Sequence, residues 1–213
     1  MMCGYPAYAF DFDYTLADSS AGIVTCFRHV LSCNGYHGID DDTIRHTIGL
    51  TLEEAFARMT GVNDAAMLAA YKLQYTTHAN TCMTALTHFF PETLQVLQQL
   101  AAQGKPVAIV STKYRYRIME FLQAQHASHL VTTIVGGEDV THAKPHPEPL
   151  LLAAEAMGVS PAAMLYAGDS IVDGMAAQRA HVPFAAVLHG TTQRHELEAY
   201  HPVCVVSSLL DLP

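Results

Sequence analysis

Six short apolar runs, at residues 7–10, 107–110, 130–135, 164–167, 184–188 and 203–206, have the length and composition of buried strands. Stretches of helical character lie between most of them, at 91–103, 114–125, 147–157 and 172–180. Gly104, Gly136 with Gly137, Gly158 with Pro161, and Pro183 fall at the joints, where helix stops and turns belong. Parallel neighbours in a sheet need crossover helices, so this alternation predicts an α/β fold with a Rossmann-like parallel sheet.

One segment breaks the alternation. Between residues 17 and 86 no convincing strand occurs, while 22–32, 52–59 and 64–81 read as helices, with Ser19 or Ser20, Thr51 and Asn63 as their expected caps. Helical sequence on this scale between the first two strands predicts an inserted all-helical domain at 17–86, set into a core built from 1–16 and 87–213.

Composition narrows the class. Half of the residues are hydrophobic and 15% are charged, which fits a compact fold and excludes a disordered or fibrous one. The net charge of -9, with 11 Lys and Arg and no run of like charge, is no nucleic-acid footprint. No apolar run approaches the ~18 residues of a membrane span, and Asp11 and Asp13 lie where a leader would be apolar. Cys3, Cys26, Cys33, Cys82 and Cys204 are scattered without a C-x-x-C pair, so reduced thiols, no structural zinc and a cytoplasmic location are expected. The oligomeric state is left open.

Chemistry gathers at the predicted strand ends. Phe10-Asp11-Phe12-Asp13-Tyr14-Thr15 places two carboxylates two apart on extended chain, hence on one side of it. Their mutual repulsion calls for a cation or proton, and a hard divalent ion is the simplest remedy. Taken alone, the pattern also fits a turn with solvated aspartates. Ser111-Thr112-Lys113 follows the strongest strand run and offers a hydroxyl and backbone N–H groups at a helix start, suited to phosphoryl oxygens or to a plain helix cap. Lys144 precedes Pro145-His146-Pro147, where two prolines stiffen the chain. His142 and His146 are read as loop histidines, since the proline between them argues against a helical metal pair. Gly168-Asp169 with Asp173 supplies two more carboxylates, oxygen ligands of the kind Mg²⁺ prefers.

Asp/Asp, Ser/Thr, Lys and Asp/Asp at four successive strand ends resemble the haloacid dehalogenase superfamily, and the helical insertion after the first motif is similar to that family's cap domain. The stretches 16–23, 44–49 and 137–140 resemble its phosphoglycolate phosphatase-like subgroup. The resemblance implies a Mg²⁺-dependent phosphatase in which Asp11 is the nucleophile and Asp13 the general acid and base. Ser111, Thr112 and Lys144 would hold the phosphoryl group, with Thr15, Lys113 and Arg45 as further substrate-binding residues. It also implies a metal held by Asp11, the Asp13 main chain and Asp169, with Asp173 steadying metal-bound water. The expected partner is a small phosphorylated metabolite, phosphoglycolate first, with sugar phosphates, nucleotides or pyrophosphate next. Two positions depart from the subgroup: Tyr14 stands where Gly is usual and is expected to narrow the pocket, and Thr112 stands where Asn is frequent. A dehalogenase would lack Asp13, and Asp18-Ser19-Ser20 is unlike the mutase branch; an inactive binding protein would not need all the charged residues retained here.

Overall fold

The computed structural model describes residues 4–213, so Cys3 and the start of the expected core lie outside the described residues. Strands β1 (Ala7–Phe10), β4 (Val107–Val110), β5 (Thr133–Val135), β6 (Met164–Gly168), β7 (Phe184–Val187) and β8 (Cys204–Val206) form one parallel sheet in the order β5-β4-β1-β6-β7-β8. Both faces are covered, which is why the strands read as continuous apolar runs rather than alternating ones. Tyr8, Phe10 and Ile109 face helices α5 (Thr93–Ala102) and α6 (Arg115–Ala124). Ala7, Ala9 and Ala108 face α7 (Glu148–Ala156) and α8 (Ile171–Ala180).

Some boundaries differ from the sequence expectation. Strand β5 begins at Thr133 rather than at 130, because Ser128–Leu130 closes a 3-10 turn that tucks Leu130 into the core. Two five-residue helices, α2 (Asp41–Arg45) and α9 (Arg194–Glu198), are too short to give a periodic signal.

Helices α1 (Ser20–Cys33), α2, α3 (Leu52–Thr60) and α4 (Ala65–Cys82) lie between β2 (Ala17–Asp18) and β3 (His88–Phe89), a two-stranded antiparallel ribbon invisible in the sequence. They enclose their own apolar core, in which Phe27 packs on Phe56 and Tyr75 at centroid distances of 4.8 and 4.9 Å. Thr51 caps α3 in a reciprocal box with Glu54. Asp64 caps α4 by accepting from the Met67 N–H, and the expected Asn63 instead turns back to the Gly61 carbonyl. Ser19 occupies the cap position of α1 without a side-chain bond to the helix; its hydroxyl serves the site described below. The four described cysteines are free, with the Cys26 and Cys82 sulfurs 3.7 Å apart. Among the described residues no helix is long and apolar enough to cross a membrane.

Candidate active site

The carboxyl ends of β1, β4 and β6 and the loop after β5 converge on one spot, where open α/β sheets bind ligands. Asp11 and Asp13 leave β1 on the site side while Phe12 between them packs in the core, as the two-residue period of extended chain requires. The predicted Asp11, Asp13, Ser111, Lys144, Asp169 and Asp173 are all buried there.

Lys144 is the centre of the charge network. Its Nζ lies 2.9 Å from Asp11 Oδ1, 2.6 Å from Asp173 Oδ1, 2.9 Å from the Tyr166 hydroxyl and 3.2 Å from the Val110 carbonyl. Burial acts against its charge, yet the Asp11 and Asp173 carboxylates override burial and hold the ammonium above the usual lysine range. Asp173 has every oxygen engaged: Oδ1 accepts from Lys144 and from the Tyr166 hydroxyl at 2.6 Å, and Oδ2 from the Ser170 N–H and hydroxyl at 3.1 and 2.6 Å. The Ser170–Asp173 contacts are the capping box of α8, so one motif starts the helix and aims the carboxylate. Despite burial, Lys144 and these donors keep the Asp173 carboxyl below its ordinary range.

Asp11 and Asp169 are less well supplied. Asp11 Oδ1 accepts from Lys144 and Asp169 Oδ1 from the Thr15 hydroxyl at 3.1 Å; among the described residues no donor reaches the second oxygen of either. Burial, opposed by Lys144 and reinforced by Asp173 and Asp13, pushes the Asp11 carboxyl up to about 6. Burial and then the charges of Asp173 and Asp11 raise Asp169 well above the carboxylate range. Gly190 packs so closely on Asp169 that a side chain there would collide with the carboxylate.

Asp13 has a separate environment. The Lys113 ammonium donates to both of its oxygens at 2.8 and 3.1 Å, and the Ser19 hydroxyl donates to Oδ1. It also lines a cavity of about 130 Å³ between the helical insertion and the sheet end, together with Thr112, Lys113, Arg117, Lys72 and Tyr75. Arg117, only 6% exposed, reaches from α6 to Asn80 of α4 and to Glu120 at 3.1 Å. Lys72 of α4 pairs with Glu53 at 2.6 Å.

Three further predicted residues have their own partners and conformations. The Arg45 side chain, 38% exposed, pairs with Asp42 one helical turn back. The Thr15 hydroxyl is spent on Asp169 and so positions that carboxylate. Tyr14 is buried, and its φ of 61° lies in the left-handed region, the physical reason glycine suits the position. Thr112 donates its hydroxyl to the Gly49 carbonyl of the insertion at 3.3 Å. Tyr166, Ser19 and Arg117 escaped the sequence reading. Tyr166 alone carried a signal, a hydroxyl in an apolar strand three residues before Asp169.

The site suits a hard divalent ion. Asp11, Asp169 and Asp173 each bring a carboxylate oxygen within 4.8 Å of the others, and two of these carboxylates have an oxygen that no donor among the described residues reaches. Four buried carboxylates (Asp11, Asp13, Asp169, Asp173) face two ammonium groups (Lys113, Lys144), an excess of two negative charges that one divalent cation balances.

Known proteins are similar in sequence and in fold. The sequence model described as haloacid dehalogenase-like hydrolase matches residues 8–187. A phosphoglycolate phosphatase from Yersinia pestis is 29% identical over 96% of this chain and 90% of its own length. Pyrophosphatase PpaX from Oceanobacillus iheyensis is likewise 29% identical, over 95% of this chain and 92% of its own. The crystal structure of a haloacid dehalogenase-like hydrolase from Bacteroides fragilis, 49% identical, matches 98% of this chain and 100% of that one with a TM-score of 0.96. On a match covering most of the sequence and a superposition covering nearly all of the fold, the chain belongs to the haloacid dehalogenase-like hydrolase family.

Proposed function

We propose that this hydrolase is a Mg²⁺-dependent phosphatase that cleaves a small phosphate monoester through an aspartyl-phosphate on Asp11. The observation that carries the reading is the division between two aspartates two residues apart. Asp11 faces Lys144 and the donor-poor Asp169, whereas Asp13 faces the cavity under Lys113 and Ser19. Such paired carboxylates in contrasting surroundings separate a nucleophile from an acid and base. Asp11 Oδ2, free of donors, attacks phosphorus. Asp13, on the cavity side, gives a proton to the leaving alkoxide and then takes one from the water that hydrolyses the intermediate. Lys144, the Ser111 hydroxyl and the Thr112 N–H hold phosphoryl oxygens. Asp11 and Asp169 would hold Mg²⁺ directly, with Asp173 keeping Lys144 in place. When bound, the ion supplies the positive charge that keeps Asp11 ionised beside an anionic substrate.

The helical insertion at 17–86 acts as the cap, and the small cavity beneath it limits leaving-group size. We infer phosphoglycolate as the first candidate substrate, in line with the Yersinia relative, with Arg117 and Lys72 as the cavity cations for its carboxylate. Pyrophosphate is the second candidate, favoured by the equally similar Oceanobacillus relative. A panel of phosphate monoesters and pyrophosphate, assayed with and without Mg²⁺, tests both levels. Mg²⁺-dependent release of phosphate from any of them, abolished by chelation, supports the chemistry. The highest kcat/KM names the substrate, and a strong preference for hexose phosphates or nucleotides rejects phosphoglycolate.

A further inference from the structure

The loop that delivers Lys144 carries a second cluster, on its outer side. His142 and His146 flank Lys144, and Glu148 opens α7; one ligand atom from each lies within 4.8 Å of the other two. His142 Nδ1 is 2.9 Å from Glu148 Oε2 and His146 Nδ1 is 3.8 Å from the same oxygen, while the two rings face each other with centroids 4.6 Å apart. A tetrahedral Zn²⁺ with bonds of about 2.0–2.2 Å separates its ligand atoms by about 3.4 Å. The two observed separations straddle that value, so small ring rotations bring all three atoms onto one ion.

The cluster is held in place before any ion arrives. Glu148 accepts from the Thr141 and His142 N–H groups at 2.7 and 3.0 Å, which fixes its carboxylate, and the Thr141 N–H is the first cause of its lowered proton affinity. The His146 N–H bonds to the Ala143 carbonyl at 2.9 Å, and Arg179 donates to the Pro145 carbonyl at 2.8 Å. Pro145 and Pro147 stiffen the chain on both sides of His146. An ion on the three groups displaces two contacts, the Glu148 N–H to His146 Nδ1 at 3.2 Å and His142 Nδ1 to Glu148 Oε2 at 2.9 Å. Both imidazoles are about half exposed or more, at 61% and 49%, so an ion reaches them from solvent.

We propose that His142, His146 and Glu148 form a binding site for a divalent transition ion of the Zn²⁺ class, separate from the aspartate site and fastening the loop that carries Lys144. Two imidazole nitrogens and one carboxylate select such an ion over Mg²⁺, which demands oxygen ligands. The imidazoles need not lie on a helix for this: the turn through Pro145 brings them together.

The test is calorimetric titration of the full chain with Zn²⁺ in excess Mg²⁺, which blocks the aspartate site. Wild type is expected to show one saturable site and a higher Tm with Zn²⁺. The double variant His142→Gln/His146→Gln is expected to lose both while keeping its Mg²⁺-dependent turnover, which reports that it is folded. Asp169→Asn is expected to retain the Zn²⁺ site. Tetrahedral Co²⁺ absorption in wild type and its loss in the double variant give the same answer spectroscopically. Absence of a saturable site, Zn²⁺ binding that survives the double substitution, or binding lost in Asp169→Asn overturns the proposal.

Discussion

The two ends of the active site are built differently. At the phosphoryl end, Asp11, Lys144, Asp169 and Asp173 are buried and come from three segments at the carboxyl end of one sheet, with Lys144 locked to Asp11 and Asp173. At the leaving-group end, the cavity is walled by the insertion and α6 together, and its cations already have partners, Lys72 with Glu53 and Arg117 with Glu120. On the proposed function the first end carries the reaction, and the second, walled by two separate elements, discriminates among substrates. Substitutions at the first end are therefore expected to abolish turnover, and those at the second to change KM.

The largest effect is expected at Asp11. Asp11→Asn keeps the shape but removes the nucleophile, and kcat is predicted to fall by more than about a thousandfold in steady-state assays. Asp13→Asn should retain far more activity on aryl phosphates than on alkyl phosphates, because a good leaving group needs little protonation. Equal losses on both substrates would contradict the assignment of Asp13.

Next comes Lys144→Ala, which leaves Asp11 and Asp173 buried without their cation. Chemical denaturation should show a loss of about 3–5 kcal/mol along with turnover. Mg²⁺ is expected to restore part of the stability and none of the rate.

A smaller effect separates the metal-free and metal-bound states. The Asp11 carboxyl, pushed up to about 6 in the fold, stands above its unfolded value. In the metal-free protein its contribution to stability is present at low pH and lost as the pH rises through about 6. A cation reverses that penalty, since it binds the ionised form, so the rise in Tm produced by Mg²⁺ should be larger near pH 7 than near pH 5. A shift that is the same at both values would remove Asp11 from the metal site.

The smallest effects sharpen the leaving-group end. Arg117→Met should raise KM for phosphoglycolate more than for an aryl phosphate, whereas Arg45→Ala, an exposed pair with Asp42, should change stability by no more than about 0.5 kcal/mol and leave KM unaltered. If Arg45→Ala gives the larger KM change, the cavity cations have been misassigned.

The sheet and most of its crossovers were legible because both-faces-buried strands and helix periods write themselves locally. The same holds for Asp11 with Asp13, which follow β1, and for Asp169, which follows β6, with Asp173 in the first turn of the next helix. What escaped depends on long-range packing. Arg117 meets Asn80 across 37 residues, Tyr166 meets Lys144 across 22, and Ser19 looked like a helix cap although its hydroxyl belongs to Asp13. For Arg45 the partner was equally illegible: the turn at Gly49 touches Thr112, and the Arg45 side chain, four residues earlier, bonds to Asp42.

The covalent role of Asp11 is tested most directly by acid-quenching the enzyme during Mg²⁺-dependent turnover and mapping the phosphoryl group by mass spectrometry. The phosphoryl increment is predicted on the peptide containing Asp11 in wild type, more abundant in Asp13→Asn, and absent in Asp11→Asn. Turnover with no label on that peptide, or with the label on another residue, would contradict it.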